Sequence, residues 1–287
     1  MPGPSRPGAD SRKENNVNLR RWSAGLLAAA LFVPGLAACK SQSADSDGTA
    51  AASPTPVDPK AALFASTQEI SKGNFTFTMT GGPEVNGGGT VHMPSKSAEM
   101  KMATGAASAD DMSMNMHLVF IDTDSWVKLE IGGEMADAIP AFKAMKGKYQ
   151  HIDRTKVKGA KNLEFDFADV DPAGSDALVK AVTDVKQTGE GAYAGTLDAT
   201  KLTDSDMLDA DDIKKLGDKA GALPFTAKLD GQGRLTEFTV QMPAVGDTKA
   251  YDMTVRYADY GTATPVQKPP AKQVVEASDQ VYEMFKD

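Results

Sequence analysis

The residues with the clearest potential for chemistry are three alternating methionines, Met112, Met114 and Met116, followed directly by His117. Thioether sulfur is a soft ligand that favours Cu(I), and an imidazole nitrogen could join it. Successive side chains of a β-strand point to opposite faces, so a strand here would separate His117 from the three methionines. Copper binding is therefore the weaker interpretation of this segment, and we assign no metal and no other cofactor.

The same methionines belong to a larger set of apolar residues on predicted strands. Methionine is flexible and polarizable, and surfaces that adapt to varied apolar ligands are rich in it. Such a set suits a hydrophobic cavity for acyl chains, but it would also fill a solid core beneath helices, and both interpretations stay open. The predicted cavity-lining residues are Phe75, Phe77, Met79, Met100, Met102, Met112, Met114, Met116, Tyr251 and Met253.

Motifs that suggest catalysis lack the partners that their chemistry needs. Ser125 and Lys128 have the Ser-x-x-Lys spacing of penicillin-recognising enzymes, but they fall on a predicted strand and the companion motifs are missing. The glycines Gly189 and Gly191 begin a loose dinucleotide fingerprint, which a strand follows where a helix is required. The sequence therefore predicts no enzymatic activity and no catalytic residue.

Charge argues against binding to nucleic acid. The chain carries a formal charge of −8, and residues 1–38 hold five basic and two acidic side chains. Residues 39–287 therefore hold 26 basic and 37 acidic side chains, a net charge of −11. A surface this acidic repels phosphate groups, and no basic stripe offsets it.

The N-terminal residues have the pattern of an export signal. Arg20 and Arg21 precede an uncharged, largely apolar run over residues 22–38, which ends in small residues. The residues Leu36-Ala37-Ala38-Cys39 resemble the lipobox of bacterial lipoproteins, and Cys39 is the only cysteine of the chain. This resemblance implies cleavage before Cys39, diacylglycerol on its sulfur, and anchoring at the outer face of the cell membrane.

Composition divides the chain into three parts. Residues 1–38 are predicted to be the lipoprotein signal peptide, and residues 39–59 a lipidated flexible tether in which Val57 is the only sizeable apolar residue. A segment of this kind buries too little apolar surface to offset the entropy of ordering it. Residues 60–287 are predicted to form a single domain.

Periodicity within this domain predicts a mixture of helices and strands. Asp58-Pro59 is typical of a helix start, and Gly73 of a helix end. Further helices are predicted over residues 134–145, 173–186 and 204–216 and, at the end, 274–285. Strands are predicted over residues 75–80, 90–93, 98–102, 112–121, 125–131, 193–198, 225–230, 234–242 and 249–260. Residues 84–89, with three glycines, are predicted to be a flexible loop that could gate an opening. The order of elements predicts an α+β fold with a curved antiparallel sheet and helices on one face.

Short motifs in the second half resemble those of the LppX/LprG-type lipoproteins of actinobacteria. They are Tyr193-Ala194-Gly195-Thr196-Leu197-Asp198, the hairpin around Asp230-Gly231-Gln232-Gly233, and the ending Tyr257-Ala258-Asp259-Tyr260-Gly261. The resemblance implies a LolA-like half-barrel with helices on its concave face, enclosing a hydrophobic cavity for acyl lipids or glycolipids. It therefore implies lipid binding, and transfer as a further expectation. The alternative is a surface lipoprotein with a solid core that meets a protein partner, and no such partner is assigned.

Overall fold

The strands form one large sheet in the computed structural model, which describes residues 58–82, 85–104, 113–132, 145–153, 165–168, 170–202 and 210–284. The strands are β1 (Asn74–Gly81), β2 (Val85–His92), β3 (Ser97–Thr104), β4 (Ser113–Ile121), β5 (Asp124–Gly132), β6 (Tyr149–Ile152), β7 (Val182–Gly189), β8 (Ala192–Leu197), β9 (Leu223–Leu229), β10 (Leu235–Met242), β11 (Tyr251–Ala258) and β12 (Val274–Glu276). Their order across the sheet is β12-β6-β5-β4-β3-β2-β1-β11-β10-β9-β8-β7. Neighbouring strands are antiparallel except β12 and β6, which are parallel, so the predicted sheet is mostly rather than wholly antiparallel.

Helices are few and short among the residues described. They are α1 (Pro59–Ser66), α2 (Ser175–Lys180), α3 (Ala210–Leu216) and α4 (Asp279–Met284). The predicted start of α1 is confirmed, because the Asp58 carboxylate accepts a hydrogen bond from the backbone N–H of Ala61 at 2.9 Å. A single 3₁₀ turn follows α1 and ends at Gly73, whose φ of 64° is left-handed.

One face of the sheet holds the hydrophobic core, and we call it the inner face. Phe75 and Phe77 of β1 are at most 2% exposed, whereas Thr76 and Thr78, which alternate with them, point to the opposite, outer face. On the neighbouring strands β9 and β10, the rings of Phe225 and Phe238 stack with centroids 4.9 Å apart. The helices pack into the same core through Leu63, Leu178, Leu216 and Val281. An α+β fold with helices on one face of the sheet is therefore observed.

Two predicted helices are wrong in part, and both errors fall on the outermost strands. Residues 173–186 form α2 only up to Lys180, and Val182 begins β7, which pairs with β8. Residues 274–276 form β12, and α4 begins only at Asp279. β-Branched residues lead into both strands, and they favour an extended backbone. Each strand also gains a ladder of hydrogen bonds that helical periodicity cannot reveal.

Other predicted elements are confirmed where the structure describes them. The strand predictions agree with β1 to β5 and β8 to β11 to within a few residues, although β2 begins five residues earlier than predicted. The helix predicted over residues 204–216 is present as α3 in its C-terminal half, and residues 203–209 lie outside the described part. Residues 134–144 and Met112 also lie outside it, as do the signal peptide and Cys39.

A buried carboxyl group joins α2 to the sheet. The Tyr257 hydroxyl donates to Asp171 at 3.1 Å, and the backbone N–H of Asp176 donates to the other oxygen of Asp171 at 2.8 Å. The Ser175 hydroxyl lies 2.8 Å from the Tyr257 hydroxyl. Burial raises the pKa of Asp171 from 3.8 to about 6, against the opposing effect of these hydrogen bonds.

This raised pKa makes Asp171 a source of pH-dependent stability. In the folded protein Asp171 keeps its proton up to about pH 6, whereas the unfolded chain releases it near pH 4. Its contribution to the free energy of unfolding is therefore fully present below about pH 4 and is lost as the pH rises to about 6. At 1.36 kcal/mol per pKa unit, the loss is about 3 kcal/mol.

We expect Asp171→Asn to remove this loss. Urea unfolding at about pH 4 and about pH 7 should show the wild type losing more stability than Asp171→Asn over that interval, by up to about 3 kcal/mol. The exposed Asp218→Asn serves as the control and should follow the wild type. Parallel pH profiles for the wild type and Asp171→Asn would contradict the assignment.

Candidate ligand-binding surfaces

The strand register places the described residues of the predicted cavity on the inner face, in adjacent rows that cross several strands. One row consists of Val255, Met79, Gly87, Met102, Met116 and Leu129. The next row consists of Tyr257, Phe77, Gly89, Met100, Leu118 and Val127. Residues that are far apart in the sequence are thus brought onto one continuous apolar surface.

Burial divides these residues into two groups. Phe75 and Phe77 are fully covered, and the Phe75 ring meets Tyr257 edge-on at 5.3 Å, so both phenylalanines belong to the packed core. Tyr251 and the methionines are only half-buried and pack against that core. We call the six half-buried methionines the methionine band: Met79, Met100, Met102, Met114, Met116 and Met253.

Three consecutive glycines of β2, the glycine segment (Gly87, Gly88 and Gly89), lie between these methionines. They are paired on both sides with β1 and β3, so the predicted flexible loop is wrong at these positions. A Cβ at Gly89 would lie 1.9 Å from the carbonyl oxygen of Glu99, and one at Gly88 would lie 2.6 Å from that of Phe77. The flanking backbones therefore leave no room for a side chain.

The glycine segment also shapes the methionine band. A Cβ at Gly87 would be 3.6 Å from the methyl carbon of Met79 and 3.5 Å from Cγ of Met102. These are ordinary van der Waals distances, so the two methionines lie over the glycine from its two neighbouring strands. The apolar surface is thereby continuous across a strand that contributes no side chain at this point.

On the outer face, the same glycines form the floor of a groove with a volume of about 690 Å³. Thr76 and Thr78 of β1 line one side of this groove. Lys101 of β3 and Asn115 of β4 line the other side. Because β2 contributes no side chains at its centre, the longer side chains of the neighbouring strands stand as walls on either side. We call this depression the outer groove.

A hydrogen-bond network with His117 at its centre lies along the outer groove. Nε2 of His117 lies 3.0 Å from Oε2 of Glu99, and Nδ1 lies 2.8 Å from the hydroxyl of Tyr149. Burial lowers the pKa of His117, and the charge of Lys101 adds to this effect although Glu99 opposes it. His117 is therefore neutral near pH 7, with the proton on Nε2 donated to Glu99 and Nδ1 accepting from Tyr149.

The charges beside the groove are paired. Lys101 lies 3.1 Å from Glu99, and Lys128 lies 2.6 Å from Glu130. Burial alone would raise the pKa of Glu99, but hydrogen bonds and charge from Lys101, and then from His117, outweigh it and lower the pKa. Glu99 is therefore ionised near pH 7, and each lysine faces a carboxylate.

Residues 263–270, which connect β11 to β12 and which we call the strap, lie against the outer face beside this groove. The backbone N–H of Val266 donates to the Ser97 hydroxyl at 3.0 Å, and the Lys268 ammonium lies 3.1 Å from Asp124 and 5.4 Å from the centre of the Trp126 ring. Trp126 also stacks on His151 and is only 6% exposed. Its position is thus explained by packing under the strap.

The remaining motifs are separated by the pleat of the sheet. Ser125 points to the inner face and Lys128 to the outer face, so this Ser-x-x-Lys pair does not meet. Met114 and Met116 likewise face inward, whereas His117 faces outward. Over the residues described, no group of three or more His, Cys, Asp or Glu side chains could hold a metal ion. No helix in that part of the chain is long and apolar enough to cross a membrane.

The apolar inner face was predicted from the sequence, but the outer groove was not. A polar face opposite the methionines could have been predicted from β3 and β4, where Glu99, Lys101, Asn115 and His117 alternate with them. The pairing of His117 with Tyr149 was not visible, because β6 follows a long connection. No family model, curated protein or solved structure matches the chain. Function is therefore inferred from the motif at Cys39 and from the geometry of the two sheet faces.

We expect Gly89→Ala to destabilise the protein by about 2–3 kcal/mol or more, because the new methyl group would overlap the carbonyl of Glu99. The measurement is the free energy of unfolding from urea titration. Gly231→Ala is the matched control, since a Cβ at Gly231 would meet nothing within 4 Å. Equal stability of the two variants would show that β2 accepts a side chain after all.

Proposed function

We propose that the protein is an exported lipoprotein that binds long apolar ligands, namely acyl lipids or glycolipids, against the methionine band of its inner face. The observation that carries this proposal is the band itself. Six half-buried methionines from four strands share one face and lie beside a fully packed aromatic core. Their flexible side chains can re-pack around chains of different length.

The anchor in this proposal is diacylglycerol on Cys39. Two acyl chains hold a protein stably on a membrane, whereas one gives only reversible binding. The described domain begins at Asp58, 19 residues after Cys39. A flexible segment of that length has an average span of about 25 Å. The domain would therefore work close to the outer face of the cell membrane, from which a lipid ligand would be taken.

The proposal includes a curved sheet, as implied by the resemblance to LppX/LprG-type lipoproteins. In this arrangement the inner face is the concave side of a half-barrel, and the helices cover it. Two observations support it. The helices and the inner face share one core, and the glycine segment brings the backbones of β1, β2 and β3 close together. Glycine within a strand is typical of such bends.

The anchor can be tested by Cys39→Ala in a bacterial host that processes lipoproteins. We expect the wild type in the membrane fraction, with the N-terminal peptide of the mature chain carrying diacylglycerol in mass spectrometry. Cys39→Ala should lose the lipid and its cleavage before residue 39. Wild-type protein that lacks acyl mass on Cys39 would contradict the anchor without bearing on the ligand.

The ligand can be tested by native mass spectrometry of residues 57–287, purified gently from the original host. We expect a mass that includes acyl lipid, which is released when the protein is denatured. The near-isosteric changes Met102→Gln and Met116→Gln should reduce the bound fraction several-fold, because each places an unpaired amide in the apolar surface.

Met93→Gln is the control for this experiment, because Met93 is also half-buried against the core but lies in the turn after β2, outside the methionine band. It should keep the lipid. An apo mass for the wild type, with no uptake of added phospholipid or glycolipid, would overturn the proposal. It would favour the alternative of a solid-core lipoprotein that meets a protein partner.

A further inference from the structure

We propose that the outer groove is a second binding site, and that its ligand is a neutral carbohydrate or a similar polyhydroxylated compound. The groove lies across the sheet from the methionine band, and the sheet itself separates the two surfaces. Its occupant is therefore not the headgroup of a lipid bound on the inner face. Its volume of about 690 Å³ is within the usual range of small-molecule sites, which is about 300–1,000 Å³.

The floor of the groove suits the C–H surface of a sugar ring. At Gly88 the outer face presents only backbone, and that backbone is already paired with β1 and β3. Because the N–H and C=O groups of this floor are already paired, the glycine CH₂ groups are left to pack against C–H groups, and the floor makes no demand for charge. Any larger residue at this position would fill the groove and meet the backbone of β1.

Side chains that can donate hydrogen bonds and side chains that can accept them surround this floor. Thr78 and Asn115 line the groove as hydroxyl and amide groups, which can donate and accept hydrogen bonds. Over the described residues the Asn115 amide has no hydrogen-bond partner, and the residue is exposed. The His117 ring also lines the groove, but Glu99 and Tyr149 already bind its two nitrogens, so it forms part of the wall and offers no hydrogen bond to a ligand. Thr78 and Asn115 are therefore the groups that would bind sugar hydroxyls, each of which both donates and accepts.

The charge balance selects a neutral ligand. Both lysines of the groove are paired with carboxylates, so neither offers an uncompensated charge to a phosphate or carboxylate. The net charge of −11 over residues 39–287 adds to the repulsion of anions. A cation is disfavoured as well, because Glu99 already accepts from both Lys101 and His117.

Isothermal titration calorimetry on the full-length protein tests this site, with maltotriose, mannotriose and cellotriose as neutral probes. Inorganic phosphate and glucose 6-phosphate are the anionic probes. We expect at least one neutral trisaccharide to bind with a Kd of about 1 mM or lower, and inorganic phosphate neither to bind nor to compete. Asn115→Ala should weaken the binding about three- to tenfold, as expected for one lost hydrogen bond. Ala103→Leu, which places a larger side chain in the groove, should abolish it.

Gln241→Ala is the matched control, because Gln241 is also an exposed amide on the outer face but lies on β10, away from the groove. It should bind as the wild type does, and unfolding midpoints confirm that each variant is folded. Absence of binding by all three trisaccharides would overturn the proposal. So would binding that Asn115→Ala and Ala103→Leu leave unchanged, or competition by phosphate. None of these outcomes affects the lipid measurement, which reports on the inner face.

Discussion

The close approach of the β1, β2 and β3 backbones at the glycine segment determines the shape of both faces of the sheet. At Gly88 and Gly89 the distances to the neighbouring carbonyl oxygens exclude any side chain. On the inner face, Met79 and Met102 lie over the vacant position at Gly87 and keep the apolar surface continuous. On the outer face, the same absence of side chains opens a groove. One steric restriction thus produces an adaptable apolar surface on one side and a polar recess on the other.

Strand register keeps these two chemistries apart. In β3 and β4, methionines alternate with polar residues, namely Glu99, Lys101, Asn115 and His117, so every second side chain belongs to the other face. A shift of one residue would turn the methionines outward and bury Glu99 and His117 in the core. The hydrogen bond between these two residues crosses from β3 to β4 and therefore favours the observed register. By favouring this register, the polar network of the outer face keeps the methionines on the inner face.

Much of this fold follows from local patterns in the sequence. The cap at Asp58 and most strand positions were predicted because each depends on residues close together in the chain. Gly73 was predicted to end the helix, and it ends the 3₁₀ turn that follows α1, whereas α1 itself ends at Ser66. The errors have a physical cause. Residues 182–189 and 274–276 become strands only because a distant or neighbouring strand supplies hydrogen bonds, which helical periodicity does not record. The glycine segment was mistaken for a loop because glycine permits both a turn and a crowded strand.

The candidate surfaces also divide into features that depend on neighbouring residues and features that depend on distant ones. The methionines of the inner face were predicted individually, since their alternation is visible along each strand. The outer groove was not, because it depends on the adjacency of five strands and on Tyr149, which is 32 residues from its partner His117. Cys39 is the opposite case, since its motif is read entirely from neighbouring residues.

The parallel pairing of β12 with β6 has a consequence for how the chain reaches this structure. His151 of β6 and Glu276 of β12 are 125 residues apart, and the strap connects β12 to the rest of the sheet over Trp126. Contacts between such distant residues form late and slow the folding of a chain. Until residues 274–276 have been synthesised and have paired with it, β6 presents an open strand edge, which is the usual template for aggregation. The pairing of β12 with β6 therefore ends the period in which this edge is exposed.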